Sequence, residues 1–340
     1  MNTLALESTA RAMVAPGKGL LAADESSGTI KKRFDGVGVE CTEETRRAWR
    51  DLLFTTPGVE QHLSGVILYD ETIRQKGKDG TPFPQLLSKK GILPGIKVDK
   101  GAIDLPSCPG EKVTEGLDGL RQRLAEYRDL GALFAKWRAV ITIGSGIPTG
   151  ACIEANSHAL ARYAALCQEA GIVPIVEPEV LMDGDHTIER CEEATTAALL
   201  AVFAALADQR VALERMILKP NMVVSGKSCT RQAGVEEVAE ATLRTFRRVV
   251  PAAVPGVAFL SGGQTPELAT AHLNAMNARG PHPWQVSFSY SRALQDPVLK
   301  AWRGQAGKVA EAQRIFLHRA RCNSAARYGR YTRELEAQAA

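Results

Sequence analysis

Apolar, β-rich runs recur along the chain at residues 19–24 (GLLAAD), 65–70 (GVILYD), 95–99 (GIKVD), 134–143 (FAKWRAVITI), 172–180 (IVPIVEPEV), 216–223 (MILKPNMV), 257–261 (VAFLS) and 284–290 (WQVSFSY). Each has the length of a strand, and many are separated by segments with the helical period. Leu117, Leu120, Leu124 and Leu130 form one such stripe, ending at Gly131; residues 154–170 end at Gly171, 189–208 carry an Ala/Leu stripe, and 235–250 stop before Pro251. Strands alternating with helices predict parallel βαβ units. Eight of them without a break predict an α/β fold, a closed (β/α)8 TIM barrel, in preference to an open doubly wound sheet. The first strand runs into Asp24-Glu25-Ser26-Ser27-Gly28-Thr29, which matches neither the dinucleotide fingerprint nor a P-loop. The helix between the first two strands is obscured by a long polar insertion over residues 26–64. With an N-terminal helix added, the pattern predicts a single domain over 1–340, its barrel at about 19–303 and a helical tail at 304–340.

Composition narrows the partners. The chain has 42 basic and 38 acidic side chains, a formal charge of +4, and the two signs are interspersed, as in TEETRRAWRD. A phosphate-neutralising surface for nucleic acid is therefore not expected, and an anionic partner should be small and bound locally. The start, MNTLALESTARAM, lacks basic and apolar targeting regions, and no apolar run approaches the roughly 18 residues of a membrane span. A cytoplasmic protein without membrane contact is expected. Seven scattered cysteines without a Cys-x-x-Cys pair read as free thiols, and six histidines without ligand spacing give no reason to expect a metal.

The anomaly is ionisable residues inside apolar strands. Residues two apart share a strand face, and Lys97 with Asp99, Lys136 with Arg138, and Glu177 with Glu179 all keep that spacing, while Asp24 and Lys219 stand near the ends of their own strands. Most lie toward C-terminal strand ends, where barrel active sites are built. Structural ion pairing is the alternative, with Lys136 neutralising Glu177. Lysine attacks a carbonyl only when unprotonated, and at a pKa of ~10.4 it is neutral in roughly one molecule in 2,500 at pH 7. A second ammonium ~4 Å away at an effective dielectric of ~20 contributes about 4 kcal/mol against the charged form, or about three pKa units. Lys219 is thus read as nucleophile and Lys136 as perturber, with Lys97 less suited to attack. After the seventh run, Ser261-Gly262-Gly263 permits close backbone approach, and Arg292 follows the eighth beyond Ser289. Loops in these positions often hold phosphate. Ser26, Thr29, Arg33 and Lys97 form a second candidate anion site, equally readable as a polar loop and helix start.

VAPGKGLLAADES, GIKVDKG, FAKWR, VPIVEPEV, LKPNM, FLSGGQ and FSYSRAL, in that order, resemble the signatures of class I fructose-1,6-bisphosphate aldolases over about residues 13–331. The resemblance implies a metal-independent, cofactor-free lyase acting on phosphorylated sugars, with Lys219 as imine-forming lysine, Glu177 as general acid/base, and Asp24 and Lys136 as companions. It implies a C1-phosphate site at Ser261, Gly262, Gly263, Ser289 and Arg292, and another phosphate at Ser26, Thr29, Arg33 and Lys97. Arg138, Glu179 and Ser291 are counted among the substrate-binding residues. It also implies a homotetramer. The same chemistry on sedoheptulose 1,7-bisphosphate or fructose 1-phosphate, or a non-catalytic scaffold, are the competing readings. Two departures stand out. Ser291 replaces the family's usual Gly and is expected to narrow its loop. The sequence ends in ELEAQAA, without the terminal tyrosine of animal and plant members that assists proton transfer at C3, and Tyr331 lies too far back to take that part. Either enamine protonation is then expected to be the slower half of the cycle, or water or another residue takes the tyrosine's place. Tritium release from dihydroxyacetone phosphate should lag behind cleavage, and equal rates would contradict this.

Overall fold

The computed structural model describes residues 3–338; residues 1, 2, 339 and 340, which include the last positions of the expected tail, lie outside it. Along the chain come α1 (Thr3–Met13), β1 (Gly19–Ala23), α2 (Ser27–Asp35), α3 (Glu43–Thr55), β2 (Leu63–Leu68), α4 (Asp70–Arg74), α5 (Phe83–Lys89), β3 (Leu93–Lys97), β4 (Gly101–Asp104) and β5 (Lys112–Glu115). There follow α6 (Leu120–Asp129), β6 (Phe134–Ile141), α7 (Gly150–Glu169), β7 (Val173–Val180), α8 (Ile188–Asp208), β8 (Ile217–Leu218) and α9 (Val235–Val249). The chain then runs through β9 (Gly256–Phe259), α10 (Pro266–Ala278), β10 (Gln285–Tyr290), α11 (Arg292–Trp302), α12 (Val309–Ala326) and α13 (Arg333–Ala337). Eight strands close into a parallel barrel in the order β1-β10-β9-β8-β7-β6-β3-β2, the (β/α)8 architecture expected.

Helix boundaries follow local chemistry. Thr149 and Thr265 accept hydrogen bonds from Cys152 N and Leu268 N to cap α7 and α10, and Pro266 opens the latter, where its missing N–H costs nothing. Helix α9 carries Glu236 and Glu237 in its first turn and Arg247 and Arg248 in its last, matching the helix dipole.

The barrel wall separates two cores. Outward-facing Val176, Val180, Trp137, Ala139 and Leu218 pack with the surrounding helices. Inward-facing Leu20, Ala22, Ile67, Phe134, Val173, Ile175, Ile217 and Ala258 form a second cluster with Leu6, Ala10, Met13 and Val14, so α1 and the residue after it plug the end where the strands begin. Above this plug the same strand faces turn ionic: Val173 and Ile175 are followed, two residues at a time, by Glu177 and Glu179, and Phe134 by Lys136 and Arg138. The seam where β1 meets β10 registers Leu20 with Ser289. Below it, buried Arg327 donates to Lys18 O, Val14 O and Gln285 Oε1, joining the tail to the segment that leads into β1 and to the start of β10.

Three features differ from the sequence reading. Residues 26–64 contain the helices α2 and α3; the latter is opened by a reciprocal Thr42–Thr45 cap and buries Trp49, Leu52 and Leu53. The run 216–223 gives a strand of only two residues, because Pro220 has no N–H to donate; Asn221 Oδ1 instead accepts from Val180 N at 2.9 Å. The antiparallel hairpin β4–β5 was not foreseen.

Packing around Phe134 is close. A Cβ on Gly95 would lie 2.2 Å from its ring. Gly95→Ala is therefore expected to destabilise the barrel by about 1–3 kcal/mol through overpacking, seen as a lowered denaturant midpoint with unchanged m-value.

Candidate active site

The C-terminal strand ends enclose a cavity of about 590 Å³, within the range of small-molecule sites. Of the sixteen residues singled out from the sequence, fifteen line it: Asp24, Ser26, Thr29, Arg33, Lys97, Lys136, Arg138, Glu177, Glu179, Lys219, Ser261, Gly262, Ser289, Ser291 and Arg292. Gly263 stands just behind, and a Cβ there would come within 3.1 Å of the Arg292 guanidinium and 3.2 Å of Lys227 Nζ. Its φ of +94° also requires glycine. Glu25, Lys32 and Asp99 line the cavity too, although sequence reasoning did not assign them a site role. Glu25 and Lys32 adjoin chosen residues, and Asp99 shared the period-two signal of Lys97.

Each charged group has a backbone reason for its place. Lys219 N donates to Val176 O at 2.8 Å, so the ladder holds this lysine in register after β8 has ended. β7 lies between β6 and β8. Glu177 is thereby centred between two lysines: its Oε1 is 3.0 Å from Lys219 Nζ and its Oε2 is 3.3 Å from Lys136 Nζ. Lys136 Nζ also lies 2.6 Å from Asp24 Oδ2. Lys97 pairs with Asp99 at 3.4 Å and Arg138 with Glu179. Four cations thus face four carboxylates.

This corrects the expected relation of the two lysines. Lys136 does not stand as a bare ammonium beside Lys219; a carboxylate lies between them and a second one binds Lys136, offsetting its field. The anticipated pairing of Lys136 with Glu177 is present, together with the convergence on Lys219.

Burial works against every charge here, and the neighbours overcome it. Burial pushes the Asp24 carboxyl up, but Lys136, Lys219 and Lys97 together hold it well below the usual carboxylate range. Glu177 is likewise raised by burial and brought below its ordinary value by Lys136, Lys219 and Arg138. Burial lowers Lys136, yet Asp24, Glu177 and Asp99 carry it above the lysine range.

At the rim, α2 opens with Ser26 Oγ and Thr29 Oγ1 3.1 Å apart and no side chain capping its N-terminus. Ser289 Oγ is buried and has no hydrogen-bond partner among the described residues. Ser291 does not simply crowd its loop: its hydroxyl is engaged by Glu25, Arg33 and Gln295. Tyr331 is held in the tail, donating from its hydroxyl to Glu336 Oε2 at 2.6 Å. Among the described residues, one His/Cys/carboxylate group is close enough to share an ion, His318, Cys322 and Glu336. It lies on α12 and α13, and Glu336 is already paired with Arg319. No described helix is long and apolar enough to cross a membrane.

The family model for class I fructose-bisphosphate aldolase matches residues 5–340. A Xanthomonas campestris pv. campestris protein named "Probable fructose-bisphosphate aldolase class 1" is 60% identical over 97% of this chain and 99% of its own. Fructose-bisphosphate aldolase 1 of Toxoplasma gondii is 55% identical over 96% and 90% respectively. Among solved structures, the Plasmodium falciparum fructose-bisphosphate aldolase, in a ternary complex with TRAP and a small-molecule inhibitor, superposes with a TM-score of 0.96 at 51% identity, covering 97% of this chain and 95% of that one.

The depressed carboxyls contribute stability above the ordinary carboxylate range, and it is lost as pH falls through their lowered values. Raised Lys136 contributes below about 10.5, and this is lost as pH rises through its folded value. Lys136→Met removes the main opposition to burial at Asp24 and Glu177, so both should protonate at higher pH. The acid limb of the kcat/KM profile is expected to move up by about one unit or more.

Proposed function

Because this chain belongs to the class I fructose-bisphosphate aldolase family, the glycolytic lyases that cleave fructose 1,6-bisphosphate into dihydroxyacetone phosphate and glyceraldehyde 3-phosphate and condense them in reverse, we propose that Lys219 forms the imine and Glu177 carries the protons. One observation supports this most: a single buried carboxylate reaches the Nζ of Lys219 with one oxygen and that of Lys136 with the other.

Lys219 passes a proton to Glu177 and its free amine attacks the ketone carbon, C2, of the open-chain sugar. Glu177 returns the proton to the departing hydroxyl, giving the iminium and water. Its two duties follow from its surroundings, since an ammonium beside it favours the carboxylate and a neutral amine relieves that pull. The C4 hydroxyl proton then goes to Glu177, with Asp24 assisting, while the C3–C4 bonding pair moves into the iminium. Glyceraldehyde 3-phosphate leaves and an enamine remains. Protonation at C3 and hydrolysis release dihydroxyacetone phosphate.

In the same proposal, Ser261, Gly262, Gly263, Ser289 and Arg292 hold the C1 phosphate, supported by the partnerless Ser289 hydroxyl and the glycine backbone beside Arg292. Ser26, Thr29, Arg33 and Lys97 hold the other, supported by the uncapped start of α2. Arg138 and Glu179 contribute to the sugar site. The scheme uses no metal or cofactor; work in the cytoplasm as a homotetramer belongs to the same reading.

Borohydride added with fructose 1,6-bisphosphate should leave a reduced adduct on the Lys219 peptide, detectable by mass and absent in Lys219→Arg. Activity should survive EDTA. No adduct, together with EDTA-sensitive turnover, would overturn the mechanism. Glu177→Gln should lower kcat by about 10²–10⁴-fold while leaving the overall fold intact by circular dichroism.

A further inference from the structure

We infer that Ser291, backed by Glu25, is a positioning residue that fixes the Arg33 guanidinium at the phosphate rim. The inference rests on the assignment of Arg33 to the phosphate distant from C1.

The Ser291 hydroxyl is fully committed. It donates to Glu25 Oε1 at 2.7 Å and accepts from Arg33 Nη2 at 3.0 Å and from Gln295 Nε2 at 3.1 Å. One donor and two lone pairs are all a hydroxyl has. Ser291 is also the residue preceding α11, where a serine would normally cap the helix, yet its side chain makes no capping bond.

Glu25 lies behind it with only 3% of its side chain exposed and with Arg33 on Oε1 and Arg50 on Oε2, the latter at 2.7 Å. Gln295 Nε2 shares its two hydrogens among three acceptors, the Ser291 hydroxyl, the same Oε1 at 3.0 Å and Ala22 O at 2.8 Å, anchoring the group to β1. Burial raises the Glu25 carboxyl, but Arg33 and Arg50 bring it below its ordinary value, so it remains an anion. Arg33 is gripped along one edge: Nη1 by the carboxylate and Nη2 by the hydroxyl. That leaves its other N–H groups for the cavity it lines. The free edge of the Arg33 guanidinium thus presents its remaining donors to the cavity, where an incoming phosphate can accept from them.

Without the hydroxyl, Nη2 loses its acceptor, and the guanidinium is held by Glu25 alone and free to swing. The loss should fall on substrates carrying the second phosphate. Ser291→Ala is expected to reduce the preference for fructose 1,6-bisphosphate over fructose 1-phosphate, measured as the ratio of kcat/KM values, by about tenfold, mainly through KM for the bisphosphate. In an Arg33→Ala background the same substitution should add nothing. Equal losses on both substrates, or losses that add in the double variant, would overturn the positioning role while leaving the site assignment intact. If Arg33→Ala itself leaves the ratio unchanged, both the inference and the placement of that phosphate fail.

Discussion

Charge balance in a buried place is the constraint on which this molecule depends. Asp24, Lys136, Glu177 and Lys219 are each nearly excluded from solvent, and a lone ion so placed would cost several kcal/mol. They are tolerated because each touches an opposite charge. The balance requires β7 to stand between β6 and β8 and β1 to bring Asp24 to Lys136 from across the barrel. The closed parallel barrel meets both requirements by pointing these side chains inward at one end. The balance is also reactive, because each proton moved within the cluster changes the field on its remaining members.

A second constraint follows from putting ions above hydrocarbon on the same strand face. Val173, Ile175, Glu177 and Glu179 are successive inward positions of β7, and the apolar pair rests against the cluster that α1 completes. Water is excluded from below by packing and meets the charges only through the mouth. The low-dielectric floor strengthens the ion pairs above it.

Much of this was legible in the sequence because it is carried by period and residue type. Charges two apart in three of the apolar runs announced a shared strand face, and the eight runs together announced the barrel. What stayed hidden depends on distance between strands. The pairing of Lys136 with Glu177 could be anticipated, but not that the same carboxylate also reaches Lys219 and so separates the two lysines, since that needs the strand order and register. The residues 26–64 read as a polar insertion because α3 opens on the exposed Glu43 and Glu44 and turns Arg50 inward, with Trp49 and Leu52, onto a carboxylate that only the folded chain brings there. The strand at Lys219 was read too long because apolar character continues through Met222 and Val223, which are buried outside any ladder. The direction of the Ser291 hydroxyl was unreadable for a similar reason: its partners Glu25 and Arg33 are more than 250 residues away.

The seam between β1 and β10 has a consequence for the making of the protein. It joins residue 20 to residue 289, and the arginine that secures it from beneath is residue 327. A ribosome delivers these segments in order, at about 5–20 residues per second, so the first strand must wait many seconds for its second neighbour. No shorter nascent chain holds Asp24 and Arg292 on one rim. Completion of the chain, rather than collapse of its parts, is therefore the event that assembles the cavity, and the ionic strand ends remain open to water until then.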